Sequence, residues 1–436
     1  MAARVPTEPP RGMRDVLPAE AELRDAAAAT ILTVYRRYGF RRIETPALES
    51  LELLTGGGGG ENEKLIFKVL KRGEKLDLSA AATEADLADL GLRFDLTVPL
   101  ARYYAHNHGK LPEPLRAVQI GPVWRAERPQ RGRYRQFTQC DIDILGIASD
   151  IAEIELILAT TEALGELGLG DLTVRINDRR LLAAMATWCG FAPDRHASVF
   201  ITLDKWDKLS PDEVRRELAE AGHPEPAIAR MMQLYRQAAV PPDLDAMRSR
   251  LGAPSAEAAV LTLSRVVDVV RAAAGGRFRI EFDPTLVRGM GYYTGPIFEI
   301  TSSSFAAGSI AGGGRYDGMI GGLLGRHVPA TGFSIGFERV VDILGKLRGR
   351  SRDETRIALL FDEAAPDLGG VLRAAQELRS QGHLVALARR MRSLGAQRAA
   401  LEKHGYDGVA TVDGEGRAQL QWFADRVPPP RSGSRE

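Results

Sequence analysis

Cysteine is scarce. Only Cys140 and Cys189 occur in 436 residues, so a disulfide framework is not expected and four-cysteine zinc sites are excluded. No stretch approaches the ~18 consecutive apolar residues that a membrane span requires. The N-terminal MAARVPTEPPRGMRD carries no apolar signal segment, and a cytoplasmic protein with no membrane partner is the expectation. Charge of one sign is also lacking. Lys and Arg total 58 against 57 for Asp and Glu, so the net charge of +1 argues neither for nor against a nucleic-acid partner; basic groups can still be gathered on one face. There is no G-x-x-x-x-G-K-[ST] and no G-x-G-x-x-G opening a βαβ unit, which disfavours P-loop ATPases and dinucleotide-binding folds. Of the seven histidines only His106 and His108 stand two apart, and a strand would put both on one face. With no Cys, Asp or Glu close by in the chain as a third ligand, they read as surface or packing residues, and no metal site is expected.

The length implies two to four domains, and 44% apolar with 26% charged residues is ordinary for a globular protein. Residues 19–38 place Leu23, Ala27, Ile31 and Val34 on one stripe, which predicts an amphipathic helix ended by Gly39. FRRIETPAL follows as a short edge or kinked strand containing Pro46. GGGGG at 56–60 reads as a loop tip. Residues 63–70 and 91–98 read as strands, and a helix is expected to follow Pro99. Residues 115–146 read as an antiparallel hairpin around the charged turn RPQRGR, and 151–275 as mainly helical. β-prone sequence returns at 278–300, then the glycine cluster AGGGRYDG, then TGFSIGFERVVDILGKL as a strand passing into a helix. Helical material interrupting one antiparallel sheet makes the body α+β. The polar stretch 346–356 marks a boundary, beyond which strands alternate with helices as in a small α/β domain. The tail 426–436 reads as disordered.

The densest chemistry is the arginine cluster of the hairpin. Arg125 and Glu127 would share one strand face, and Arg133 and Arg135 a face of the return strand. Guanidinium groups pointing one way repel unless an anion lies between them, and bidentate pairing suits a polyphosphate. A solvated basic hairpin, or one paired with acidic neighbours, is the alternative. Arg288 is followed by glycine in LVRGMGYYTG, which permits a close ligand, and Tyr292 and Tyr293 offer stacking and hydroxyl contacts. Arg339 opens the helix after TGFSIGF.

In order and spacing these segments resemble the three motifs of class II aminoacyl-tRNA synthetases: FRRIETPAL, VWRAERPQRGRYRQF and TGFSIGFERV. Within that class RGMRDVLP, LRFDLTVPLARYYA, LVRGMGYYTGPIFE and AGGGRYDGM resemble the histidyl-tRNA synthetase family, and INDRRLL and LDKWDKLS resemble its eukaryote-like branch. The resemblance is good over about 10–345 and weaker over 355–425. It implies a class II catalytic domain over 1–345 with a helical insertion at about 175–275, and a shortened α/β anticodon-binding-like domain over 355–425.

The activity it implies is activation of L-histidine with ATP, then transfer to tRNA(His), by a homodimer that uses ATP with Mg2+. Arg125 and Arg288 would flank the α-phosphate, with Arg133 and Arg339 on the distal phosphates and Glu127 on the adenine amino group. Asp95, Thr97 and Gln139 would accept the α-ammonium, while Asp143, Tyr293 and Tyr316 would face the imidazole beside Tyr292. No general base for the transfer step is evident. Three positions depart from the family pattern: Gly291, where an acidic residue is usual, Thr138, where His or Tyr is usual, and Asp143, where many bacterial members have Glu and the eukaryote-like branch has Asp. A catalytically silent, histidine-sensing regulatory subunit of ATP phosphoribosyltransferase is the competing reading. Such a sensor needs neither all three phosphate-gripping arginines nor an anticodon-binding domain.

Overall fold

The structure is a computed structural model that describes residues 6–56, 62–76, 78–79, 83–129, 134–206, 209–237, 244–288, 291–305, 308–347, 355–363, 368–413 and 416–423. The chain divides into two compact units, 1–346 and 347–436. No helix among the described residues is long and apolar enough to cross a membrane.

Helix α1 (Pro18–Arg37) opens the first unit and buries Ala27, Ile31, Val34 and Tyr35 along one stripe. Gly39 follows at φ +80°, its N–H donating to the Arg36 carbonyl at 3.0 Å; this left-handed residue ends the helix. Next come β1 (Arg41–Arg42), β2 (Leu48–Ser50), α2 (Leu51–Gly56), β3 (Lys68–Leu70), α3 (Glu84–Leu87) and β4 (Ala88–Leu92). Strands β2, β4 and β3 form a small sheet. Two expected strands are shorter or displaced. Of 63–70 only β3 is extended, because Asn62–Leu65 forms a 3-10 turn. The strand expected at 91–98 lies earlier, as β4, and α4 (Thr97–Asn107) begins before Pro99. Asp95 is the reason: its Oδ1 accepts the Val98 N–H at 3.0 Å, satisfying one of the donors that a helix start leaves free. His106 therefore sits in the last turn of a helix, and His108 opens a 3-10 turn with Nδ1 2.9 Å from the Ala105 carbonyl; no strand joins them.

Strands β5 (Leu115–Trp124) and β6 (Gln136–Leu145) form the expected hairpin, in register from Leu115↔Leu145 to Trp124↔Gln136. Helix α5 (Ile151–Glu166) leads to β7 (Leu172–Asp178), a strand hidden in the sequence among helical patterns. It is only seven residues long, but Leu172, Val174 and Ile176 alternate into the core. Six helices follow: α6 (Arg179–Cys189), α7 (His196–Leu203), α8 (Pro211–Glu220), α9 (Glu225–Gln237), α10 (Leu244–Leu251) and α11 (Pro254–Ala274). The unit closes with β8 (Arg279–Phe282), β9 (Pro296–Ser302), β10 (Ala311–Arg315), α12 (Asp317–Leu324), β11 (Ala330–Ile335) and α13 (Phe337–Leu347). Eight strands make one sheet in the order β1-β5-β6-β11-β10-β9-β7-β8. It is antiparallel except at its two edges, where β1 pairs with β5 and β7 with β8 in parallel. The α+β class read from the sequence holds. Cys140, Ile142 and Ile144 of β6 join Ile31 and Tyr35 of α1 and Leu156 of α5 in the main core, which leaves the other face of β6 free.

The second unit contains β12 (Arg356–Phe361), α14 (Leu368–Ser380), β13 (Leu384–Arg389), α15 (Leu394–Lys403), β14 (Gly408–Val412) and β15 (Ala418–Trp422). Its sheet runs β13-β12-β14-β15, parallel but for the last strand. Residues 57–60 of the glycine run, 348–354 of the polar stretch and the tail 424–436 lie outside the described residues.

Candidate active site

Side chains alternate along a strand, so Gln139, Asp141 and Asp143 of β6 share the face turned away from the core. They form one wall of a cavity of about 340 Å3. Glycines let other groups close over its floor. A Cβ at Gly332, which pairs with Asp143 across β6 and β11, would stand 2.0 Å from Asp143 Oδ1. A Cβ at Gly312 in β10 would stand 1.8 Å from Arg288 Nη1. The glycine cluster is thus a strand whose missing side chain at Gly312 makes room for the Arg288 guanidinium, while Gly332 on β11 makes room for the Asp143 carboxyl group.

Three carboxyl groups here are almost wholly buried: Asp95 at 2%, Asp141 at 4% and Asp143 at 3% exposure. Burial disfavours their charged forms. It raises Asp95 to about 6, where the Val98 amide and Arg125 partly offset it. It raises Asp143 to about 7, although the Tyr316 hydroxyl donates to Asp143 Oδ1 at 2.6 Å. Asp141 is pushed well above the carboxylate range by burial and then by the charge of Asp143. The rings of Tyr292 and Tyr293 lie 4.9 Å apart, and those of Tyr292 and Tyr316 6.0 Å apart, forming an aromatic wall beside these acids.

Guanidinium groups reach the same cavity from three stretches of chain. Arg125 donates through Nε to the Phe94 carbonyl at 3.0 Å and lies over the Phe137 ring at 5.1 Å. Arg288 Nη1 is 3.4 Å from Glu299 Oε2. Arg339, in the first turn of α13, donates to the Ser309 carbonyl. Arg125 and Arg288 are each held by a hydrogen bond through one guanidinium nitrogen, which leaves further N–H groups for a ligand. A cavity with buried carboxyls and convergent guanidinium groups suits a ligand bearing both a cation and a polyanion.

Asp95, Thr97, Arg125, Glu127, Gln139, Asp143, Arg288, Tyr292, Tyr293, Tyr316 and Arg339 all line this cavity. Arg133 lies outside the described residues. Arg125 and Glu127 follow the end of β5 and are not within the strand. Asp141 was not singled out from the sequence, although the two-residue period through Gln139 and Asp143 passes through it. Glu338 was missed as well. It accepts the Thr138 N–H at 2.9 Å and Arg24 Nη1 at 2.6 Å, while Arg24 Nη2 donates to Thr138 Oγ1 at 2.8 Å. Burial opposes ionisation of Glu338, but Arg24 and the Thr138 amide outweigh it and hold the group below its ordinary value. Thr138 is therefore tied to α1 and α13, and Gly291 is exposed. Among the described residues no group of three or more His, Cys, Asp or Glu is placed to hold a metal.

Comparison with known proteins converges on one family. Residues 12–340 match the protein-family model for histidyl-tRNA synthetase. The chain is 46% identical over 419 residues to a histidine–tRNA ligase of Leifsonia xyli subsp. xyli, covering 94% of this chain and 96% of that one. Its fold is similar to the crystal structure of histidyl-tRNA synthetase from Nostoc sp. PCC 7120, with a TM-score of 0.77, 26% identity and coverage of 97% and 96% of the two chains. A likeness of fold also extends to an ATP phosphoribosyltransferase regulatory subunit/histidyl-tRNA synthetase from Bacillus halodurans, with a TM-score of 0.73, 22% identity and coverage of 94% and 99%. These relatives are bacterial, which gives the eukaryote-like branch no support.

Proposed function

The chain belongs to the histidyl-tRNA synthetase family, and on that premise we propose that this cavity joins L-histidine to ATP and delivers the product to tRNA(His). One observation carries the reading: Arg125, Arg288 and Arg339, distant in sequence, line one cavity with the Asp143–Tyr316 pair. In the first step a histidine carboxylate oxygen attacks the α-phosphorus and pyrophosphate leaves. Charge builds on the α-phosphoryl oxygens, and Arg125 and Arg288 stabilise it. Arg339 holds a distal phosphate, aided by Arg133, and Glu127 accepts from the adenine amino group. Magnesium enters as part of the MgATP substrate, because the bound polyphosphate needs further neutralisation. In the second step the terminal ribose hydroxyl of tRNA attacks the adenylate carbonyl, the acyl–phosphate C–O bond breaks, AMP leaves and the hydroxyl proton is released as the histidyl ester forms.

Specificity lies at the imidazole. Asp143 and Tyr293 address its two ring nitrogens, with Tyr316 fixing Asp143 and Tyr292 filling the wall. A side chain without those nitrogens leaves buried polar groups unpaired, which in such sites rejects analogues by ~10⁴–10⁵-fold. The second unit, small and mostly parallel, reads the anticodon, and the working enzyme is a cytoplasmic homodimer. A regulatory subunit would have no use for three phosphate-directed arginines. ATP–pyrophosphate exchange with each of the twenty amino acids, followed by charging of total tRNA, tests the proposal. Exchange with histidine alone, and charging of tRNA(His), is expected. Histidine binding without exchange would favour the regulatory subunit instead.

A further inference from the structure

Asp141 faces Gln119 on β5 and Ser334 on β11 and is 4% exposed. Its Oδ2 accepts from Gln139 Nε2 at 3.4 Å and the Ser334 hydroxyl also interacts with the carboxyl group, whereas its buried Oδ1 makes no hydrogen bond of ordinary geometry. Two more buried acceptors on residues of the same cavity are unpartnered: Asp95 Oδ2 and Gln139 Oε1. Leaving a buried acceptor unpaired is costly. Three of them at one place complement a group with three N–H donors and no acceptor, which is a primary ammonium. An imidazole cannot use them all, and Asp143 Oδ1 is already engaged by Tyr316. Thr97, placed with the ammonium by family resemblance, shares its hydroxyl with Tyr292.

We propose that Asp141 is a direct ligand of the substrate's α-ammonium, completing a three-acceptor cradle with Asp95 and Gln139. The proposal rests on the histidine-activating reading of the cavity. An ammonium lowers the cost of ionising two buried acids, so Asp95 and Asp141 together make the site selective for the charged amine as well as for the ring. Desamino compounds are then rejected because they would leave Asp95 and Asp141 facing no cation.

Calorimetric or NMR titration of the full chain with three ligands isolates this role. L-histidine and L-histidinol keep both ring and ammonium, while imidazole-4-propionate keeps the ring and lacks the ammonium. Asp141→Asn and Asp141→Ala should weaken histidine and histidinol by about 10- to 100-fold, the equivalent of one charged hydrogen bond. Imidazole-4-propionate should bind both variants as well as it binds the wild type, or better. Variants that weaken all three ligands alike, or none, would overturn the proposal, the first by showing a merely structural role. Wild-type exchange with histidine is measured alongside; if it is absent, the underlying reading falls and this proposal with it.

Discussion

Gly312→Ala separates catalysis from stability. Gly312 lies in β10 with an ordinary strand backbone, so an alanine there brings no conformational strain. Its Cβ would stand 1.8 Å from Arg288 Nη1, 2.3 Å from Cζ and 2.6 Å from Nη2. Normal contact is ~3.5 Å, so the guanidinium must retreat by roughly 1.5–2 Å. That retreat is inexpensive for folding, because a flexible side-chain end moves and the ion pair it disturbs, to Glu299, is already long at 3.4 Å. It is expensive for chemistry. A misplacement of ~1 Å costs on the order of 10²-fold, and loss of one transition-state donor ~10²–10³-fold. ATP–pyrophosphate exchange should therefore fall by ~10²–10³-fold, while urea unfolding shifts by less than ~1 kcal/mol. Gly313→Ala is the control. There a Cβ would stand 2.0 Å from the Gly332 carbonyl oxygen and 2.8 Å from Phe333 Cα, and backbone cannot swing aside. It should destabilise the protein by ~1–3 kcal/mol or more. If Gly312→Ala exchanges normally, Arg288 has no part in adenylate formation; if its loss of activity merely tracks unfolding, the separation argued here is wrong.

Arg288→Ala should lower adenylate formation by ~10²-fold or more with histidine binding less affected, as single-turnover kinetics would show. Asp143 is raised from 3.8 to about 7 by burial, so the folded state holds a proton that the unfolded chain releases, and stability of the ligand-free protein falls as pH rises through that window. Asp143→Asn should remove this group's share of the dependence, stabilising the ligand-free protein at pH 8 relative to pH 4 by an amount bounded at ~4 kcal/mol while raising the histidine KM; an equal change in unfolding free energy at pH 4 and pH 8 would contradict it. Glu338→Gln should cost ~1–3 kcal/mol in urea unfolding, because Arg24 and the Thr138 amide lose a charged acceptor.

Much of the fold was legible because periodicity carried it. The stripe of α1, the hairpin of β5 and β6 and the alternation in the second unit all follow from spacing. What failed did so for local reasons. Strand β7 is seven residues between long helices, too short for its alternation to outweigh them. Helix α4 starts early because one carboxylate, Asp95, caps it. Strand β10 has glycine, a residue with poor strand propensity, at three of its five positions and becomes a strand because β9 and β11 pair with it on either side. At the site, Gln139 and Asp143 were visible through family resemblance, which hid Asp141 between them. The arginines could be named from sequence, but their shared cavity depends on sheet order, which brings β6, β11 and β10 side by side.

The central claim is that one cavity grips a triphosphate and an imidazole together. A crystal structure with histidinol and a non-hydrolysable ATP analogue tests it most directly. The α-phosphate should lie between Arg125 and Arg288, the terminal phosphate at Arg339 and the imidazole against Asp143 and Tyr293. A nucleotide bound elsewhere, or an imidazole turned away from Asp143, would contradict it.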